Sequence, residues 1–96
     1  MKLRITAVDL GKKSFQNSYK GLPDDIKEHF KEAKKELLKY PQPSSLRLHQ
    51  LSGWKNPKIY TIDVGPNHSY KLSFELDGEI AIFRRVGTHK LIDRCP

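Results

Sequence analysis

An Asp-Gly dipeptide between two alternating apolar runs constrains this chain more than any other feature of its sequence. Residues 70–76 precede Asp77-Gly78, and residues 79–86 follow it. A two-residue type I′ turn needs positive φ at both central positions, and Asp-Gly is among the pairs that adopt it most readily. The pattern therefore predicts a β-hairpin whose turn is Asp77-Gly78.

Side chains on the predicted hairpin alternate between two faces, which assigns its polar residues. Lys71 should point away from the face that carries Leu72 and Phe74. On the return strand the same alternation predicts that Arg84 and Arg85 point to opposite faces. Only one of the two arginines should then reach any single site.

Before the hairpin, the sequence predicts three strands and two helices, in the order strand, helix, helix, strand, strand. Alternating apolar residues indicate strands, and Ile26, Phe30, Ala33 and Leu37 follow helical spacing until Pro41 stops the pattern. Strands are expected at 3–8, 46–51 and 59–64, helices at 12–20 and 24–40, and turns at 53–57 and 65–67.

This order of elements predicts an α+β fold. A helical pair near the N-terminus should pack on one face of a small, curled antiparallel sheet of about four or five strands, which leaves the other face open for function. The chain has 96 residues, a length that suits a single domain spanning 1–96.

The charge of the chain indicates polyanionic partners. Eighteen Lys and Arg residues against eleven Asp and Glu give a net charge of +7. Nucleic acid, a ribosome or an acidic protein would each suit this charge, although +7 is also within the ordinary range for a soluble small domain. One cysteine, and no apolar run near the roughly 18 residues of a membrane span, predict a cytoplasmic protein with no membrane partner.

Four histidines supply the candidates for proton transfer. His29 falls on the surface of the long predicted helix, and His68 falls in a turn, where polar residues need no functional reason. His49 should share one strand face with Arg47, and His89 follows the last strand as the chain enters a loop. Loops on a rigid sheet are where functional residues concentrate, so His49 and His89 are the stronger candidates.

The remaining chemistry favours cleavage of RNA. The sequence contains no Ser-His-Asp order, Gly-rich phosphate loop, HExxH motif or carboxylate pair suited to metal binding, and it predicts no cofactor and no metal. Imidazole, guanidinium and ammonium groups together suit metal-independent attack of a ribose 2′-OH on the adjacent phosphate.

Three short motifs resemble the RelE/ParE superfamily of toxins. They are Leu-Arg-Leu-His-Gln-Leu-Ser-Gly at 46–53, Tyr-Lys-Leu-Ser-Phe-Glu at 70–75 and Val-Gly-Thr-His at 86–89. The resemblance implies a small α+β fold and a cognate antitoxin as partner. Many members are mRNA endoribonucleases that act on the ribosome, whereas the ParE branch poisons DNA gyrase and is not a nuclease.

Residue by residue, the resemblance favours the nuclease branch. His49, Arg85 and His89 are similar to residues of the YafQ-like members, and Lys71 stands where relatives commonly carry arginine. The resemblance implies that these four residues are catalytic. A gyrase inhibitor, or an inactive member that only binds its antitoxin, remain the alternatives. Further candidates for contact with RNA are Arg47, Trp54, Tyr70, Arg84 and Lys90.

Overall fold

The computed structural model describes residues 2–96 and contains five strands and three helices in that range. The strands are β1 (Ala7–Asp9), β2 (His49–Lys55), β3 (Lys58–Val64), β4 (Tyr70–Asp77) and β5 (Ile80–Thr88). The helices are α1 (Lys13–Lys20), α2 (Asp24–Leu37) and α3 (His89–Arg94), and short 3₁₀ turns lie at Ser44–Leu46 and Pro66–His68. No helix within residues 2–96 has both the length and the apolar character needed to cross a bilayer.

The five strands form one sheet in the order β1-β5-β4-β3-β2. β2 to β5 are an antiparallel meander, as predicted, and β1 pairs in parallel with β5 through Ala7 and Ile80. The predicted α+β class is therefore confirmed, but the sheet is mixed. The parallel pair arises because β1 is separated from β5 by the helices and the whole meander, which bring the chain back in the same direction.

The helical pair packs on one face of the sheet, as the apolar spacing predicted. Phe15 of α1 and Phe30 of α2 both meet Phe83 of β5 edge-on, with ring centroids 5.5 and 5.9 Å apart. Leu72 and Phe74 of β4 are fully buried in the same core. Edge-to-face aromatic pairs of this kind contribute beyond the apolar area that they bury.

The hairpin between β4 and β5 forms, but its turn is one residue further along than predicted. Asp77 pairs with Ile80, so the two central residues are Gly78 and Glu79. Gly78 has φ of 62°, and Glu79 is not among the residues with positive φ. Glycine at the first central position with positive φ only there is typical of a type II′ turn.

A β-bulge places Arg84 and Arg85 together. Ser73 pairs with Arg85 and Phe74 with Phe83, which leaves Arg84 as an extra residue. Core positions on β5 therefore pass from Phe83 to Val86. Both arginines line one hollow on the opposite face of the sheet, here called the outer face. The prediction that they point to opposite faces is wrong, because strand alternation restarts at a bulge.

The C-terminal helix α3 covers part of the outer face, which was predicted to be open. Ile92 is fully buried there, and so is Ile59, whose neighbour Tyr60 points into the main core. Ser73 Oγ also donates a hydrogen bond of 3.2 Å to the Pro96 oxygen. α3 packs against β4 and β5, and it supplies apolar cover on a face that would otherwise be open to water.

Several element boundaries differ from the predicted ones. β1 covers 7–9 instead of 3–8, and α2 ends at Leu37 instead of residue 40. The strand predicted at 46–51 begins at His49, because a 3₁₀ turn ends in Arg47 with a left-handed φ of 52°. β2 then continues through Trp54 to Lys55, so that the turn predicted at 53–57 is confined to Asn56 and Pro57.

Candidate functional site

A buried carboxylate is the centre of the polar cluster on the outer face. The Asp63 side chain on β3 is only 4% exposed. Its Oδ2 lies 2.8 Å from His68 Nδ1 and 3.6 Å from Arg47 Nε, and its Oδ1 lies 3.9 Å from His89 Nε2. These four residues are named the Asp63 cluster. These contacts are ion pairs and not hydrogen bonds, because the buried atoms Asp63 Oδ2 and His89 Nε2 have no hydrogen-bond partner within residues 2–96. A buried charge without any such contact would be costly.

Two chain reversals bring the histidines to Asp63. After β3, Asn67 and His68 adopt left-handed φ values of 58° and 53°, which fold His68 back over the end of the strand. Non-glycine residues in this conformation are strained and concentrate at functional sites. At the end of β5, Thr88 Oγ1 accepts a hydrogen bond from the Leu91 backbone N–H at 3.4 Å and caps α3. His89 is consequently the first residue of a helix. The prediction that it lies in a loop is wrong.

His49 lies on the same face of the sheet, at its edge. It pairs with Thr61, its Nε2 lies 3.3 Å from Thr61 Oγ1, and its Nδ1 lies 2.9 Å from the Arg47 carbonyl oxygen. The imidazole is exposed and lies outside the core, as strand alternation predicted. Both of its ring nitrogens already have a partner, whereas His68 and His89 each contact Asp63 through one nitrogen.

Lys71 reaches the outer face but is covered by α3. Its cross-strand partner is Asp63, and its Nζ lies 3.4 Å from Asp93 Oδ1. The lysine side chain is 11% exposed, and that of Asp93 is 59% exposed. The ammonium group therefore lies beside the Asp63 cluster and already faces one solvent-exposed acid, Asp93. An incoming phosphate would compete with Asp93 for it.

A second group of basic residues lies at the other end of α3. Trp54, Arg84, Arg85 and Arg94 line a hollow of ≈ 210 Å³ together with Cys95 and Pro96, and we name it the arginine hollow. Arg84 is fixed in place, since its Nη1 lies 3.2 Å from Glu75 Oε1 and its Nε donates to the Pro96 oxygen at 3.2 Å.

Arg85 and His89 are not neighbours, although the sequence places them only four residues apart and the resemblance implies that both are catalytic. β5 continues to Thr88, so the chain between them is extended and spans about 13 Å. Of the remaining candidates, Tyr70 packs against the core on the helical side of the sheet, and Lys90 is exposed on α3. Neither of these side chains belongs to the Asp63 cluster or the arginine hollow.

Asp63 was not among the residues predicted from the sequence, and His68 was predicted to be a turn residue without a functional reason. The sequence pattern that could have identified them is the position of Asp63 two residues after Thr61, on the strand face away from the core, with His68 five residues later. Within residues 2–96, no three His, Cys, Asp or Glu side chains are grouped so that they could hold a metal ion.

Comparison with solved structures finds a similar chain. The match is to a chain in the crystal structure of the RelB–RelE antitoxin–toxin complex from Methanococcus jannaschii. It has a TM-score of 0.65 and 30% sequence identity, and it covers 88% of this chain and 96% of that one. No protein-family model matches the sequence, and a comparison with curated proteins finds no match.

Proposed function

Because this chain belongs to the RelE/ParE superfamily of toxins from toxin–antitoxin systems, we propose that it is an mRNA endoribonuclease. It would act in the cytoplasm on mRNA bound to the ribosome, and a cognate antitoxin would hold it inactive. The observation that carries this proposal is the pair of imidazoles on either side of the buried Asp63 carboxylate.

The Asp63 cluster supports both proton transfers of RNA cleavage. In that reaction a base removes the proton from a ribose 2′-OH, whose oxygen attacks the adjacent phosphorus. An acid then protonates the departing 5′-oxygen, which leaves a 2′,3′-cyclic phosphate and a 5′-OH. We assign these two roles to His68 and His89, because each keeps a ring nitrogen that does not contact Asp63.

Asp63 acts as a positioning residue in this scheme. One imidazole must be neutral to accept a proton and the other must carry a proton to donate, and a single carboxylate between them stabilises the charged one. Lys71, across the strand pair from Asp63, would balance the charge that develops on the phosphorus. His49, at the sheet edge, is a third imidazole whose contribution the experiment below separates.

The test compares cleavage by histidine variants. We expect His89→Ala and His68→Ala to lower the single-turnover rate of mRNA cleavage on ribosomes by about 10² or more, the usual effect of losing a proton-transfer group. His29→Ala is the matched control, since His29 is exposed on α2, and its rate should equal that of the wild type. His49→Ala shows whether the edge imidazole shares either role.

Two outcomes would contradict the proposal. Undiminished cleavage by folded His68→Ala and His89→Ala proteins would remove the assigned roles. If induction of the wild-type chain stopped DNA supercoiling before it stopped translation, the gyrase-directed branch of the superfamily would be the correct assignment.

A further inference from the structure

We propose that the arginine hollow binds one nucleotide of single-stranded RNA next to the cleaved position, with its base on Trp54 and its phosphate between Arg85 and Arg94. The choice of RNA as ligand rests on the proposed function. The location and the binding chemistry rest on the residues of the hollow itself.

The charges in the hollow call for an anion. Arg84 is neutralised by Glu75, which also lies 3.5 Å from Lys12 Nζ. Arg85 and Arg94 make no ion pair with any residue in the range 2–96. Two guanidinium groups that share a hollow and have no ion pair of their own repel each other, and a phosphate would relieve the repulsion. Guanidinium suits this ligand because its planar fork can donate two parallel hydrogen bonds to one phosphate.

Trp54 supplies the surface on which a base would stack. It is the only tryptophan of the chain, and it is 41% exposed although large apolar side chains are usually buried. It lies on β2, one of the two edge strands of the sheet, and it lines the hollow together with the three arginines. An indole beside guanidinium groups is the combination that binds unpaired bases by stacking and cation–π contact.

The size of the hollow suits a single nucleotide and not a longer segment of RNA. Its volume of ≈ 210 Å³ is below the roughly 300 Å³ at which pockets for drug-sized ligands begin. Its wall is also fixed, because Ser73 Oγ and Arg84 Nε both donate to the Pro96 oxygen. A small, rigid and basic hollow can select for a single base and phosphate.

Helix α3 sets the spacing between this hollow and the proposed reaction site. The helix begins at His89, in the Asp63 cluster, and ends at Arg94, in the hollow. Five residues of helical rise separate them, or about 8 Å. This distance is about two steps of a fully stacked strand at about 3.4 Å each, and fewer steps of a strand whose bases are splayed out, as they are when one of them stacks on Trp54. A strand whose reacting phosphate lies at the Asp63 cluster would therefore place a neighbouring nucleotide in the hollow.

The experiment measures equilibrium binding of a labelled single-stranded RNA oligonucleotide by fluorescence anisotropy. In one arm of the experiment, every ribose of the oligonucleotide is replaced by 2′-deoxyribose. This oligonucleotide has no 2′-OH to attack the phosphate, so cleavage cannot change the measured affinity. We expect Trp54→Leu to weaken binding about 5- to 100-fold, the range for loss of one base stack. Arg94→Gln should weaken it at least about fivefold, and Arg94→Lys should recover part of the loss.

Arg4→Gln is the matched control. Arg4 is exposed and stacks on Tyr40 at 4.1 Å, away from the hollow, so the variant loses the same charge without touching the site. Its affinity should change less than twofold. In the wild type, RNA should also quench the fluorescence of Trp54, and a fully paired duplex should not.

The outcomes separate this inference from the proposed function. If the hollow variants bind RNA as tightly as the wild type while the wild type cleaves mRNA, the hollow is not a nucleotide site and the nuclease proposal stands. If the variants lose RNA binding but the wild type cleaves nothing, the nucleotide site stands and the nuclease proposal is wrong. A wild type that binds no single-stranded RNA overturns the hollow as a site.

Discussion

At the scale of single residues, the buried carboxylate of Asp63 organises the outer face. Three potentially cationic side chains converge on it, from the turn before β2, the turn after β3 and the start of α3. Each arrives on a different segment, so the cluster exists only in the folded chain. Its acid therefore has a structural role, as a partner for Arg47, and a proposed role in orienting the two imidazoles.

We expect Asp63→Asn to lower the rate of mRNA cleavage by about 10² and to leave substrate affinity nearly unchanged. The amide keeps the shape of the carboxylate but loses the charge that stabilises a protonated imidazole. Single-turnover rates at saturating and limiting enzyme separate the two quantities. Asp25→Asn, on the exposed first turn of α2, is the control. Equal rates for the two variants would exclude a role for the charge of Asp63.

Sequence reasoning identified some of these residues and missed others for physical reasons. His49 lies where strand alternation placed it, because β2 is regular at that point. The contact between Asp63 and His68 depends on two consecutive left-handed residues, and no local pattern predicts where such a turn directs a side chain. Arg84 and Arg85 lie on the same face because of a β-bulge, and the alternation of side chains along a strand does not predict where a bulge occurs.

At the scale of elements, the helices α1 and α2 and the hairpin could be predicted from the sequence, and the short helix α3 could not. The helix α2 has four buried residues at helical spacing, and a pattern that repeats over 14 residues identifies a helix in the sequence. By contrast, α3 has six residues and one buried side chain, Ile92, so its sequence shows no repeating period. It is stabilised by its contact with the sheet, and helices this short depend on such packing.

Two adjacent leucines at the end of α2 test the packing of the helical pair. Leu37 is 0% exposed and Leu38 is 41% exposed. We expect Leu37→Ala to lower the free energy of unfolding by about 2–5 kcal/mol, because it leaves a cavity in the core. Leu38→Ala should change it by less than about 0.5 kcal/mol. Urea denaturation followed by circular dichroism measures both, and similar midpoints for the two variants would contradict the packing described here.

Replacing Ile92 tests whether α3 can separate from the sheet while the rest of the fold stays intact. We expect Ile92→Asp to release α3 from the outer face, because a carboxylate cannot be buried without a partner at a position where the side chain is fully buried. Amide hydrogen exchange should then become fast at 89–94 while β4 stays protected. Lys71 should also react faster with an amine-modifying reagent. Lys90→Asp, at an exposed position of the same helix, should leave both readouts unchanged.

At the scale of the whole molecule, the net charge of +7 is spread over both sides of the sheet. One basic region is the groove between α1 and α2, with a volume of ≈ 400 Å³. Its lining combines apolar and aromatic side chains with lysines at the rim: Leu10, Phe15, Gln16, Tyr19, Lys20, Phe30, Lys31 and Lys34. A groove of this composition suits an acidic segment with apolar anchors, which is what we expect of the antitoxin partner.

We expect the affinity for the antitoxin to fall as salt rises, since part of the attraction is between exposed charges. Charge reversal at Lys31 and Lys34 together should weaken binding and flatten its salt dependence. Reversal at Lys55 and Lys58, exposed beside the turn between β2 and β3, is the matched control. Titration calorimetry of the two proteins at several salt concentrations gives the comparison. Equal losses in the two double variants would place the antitoxin elsewhere on the surface.

The parallel pairing of β1 with β5 has a consequence for how the chain is made. Ala7 finds its partner Ile80 more than seventy residues further along the chain. While the protein is being synthesised, the first strand therefore stays unpaired until β5 has been made. His89 and the helix that follows it are made later still. The complete sheet and the Asp63 cluster therefore form only after α1 and α2 have already been made, and an antitoxin segment that binds the groove between those helices would have that interval in which to bind.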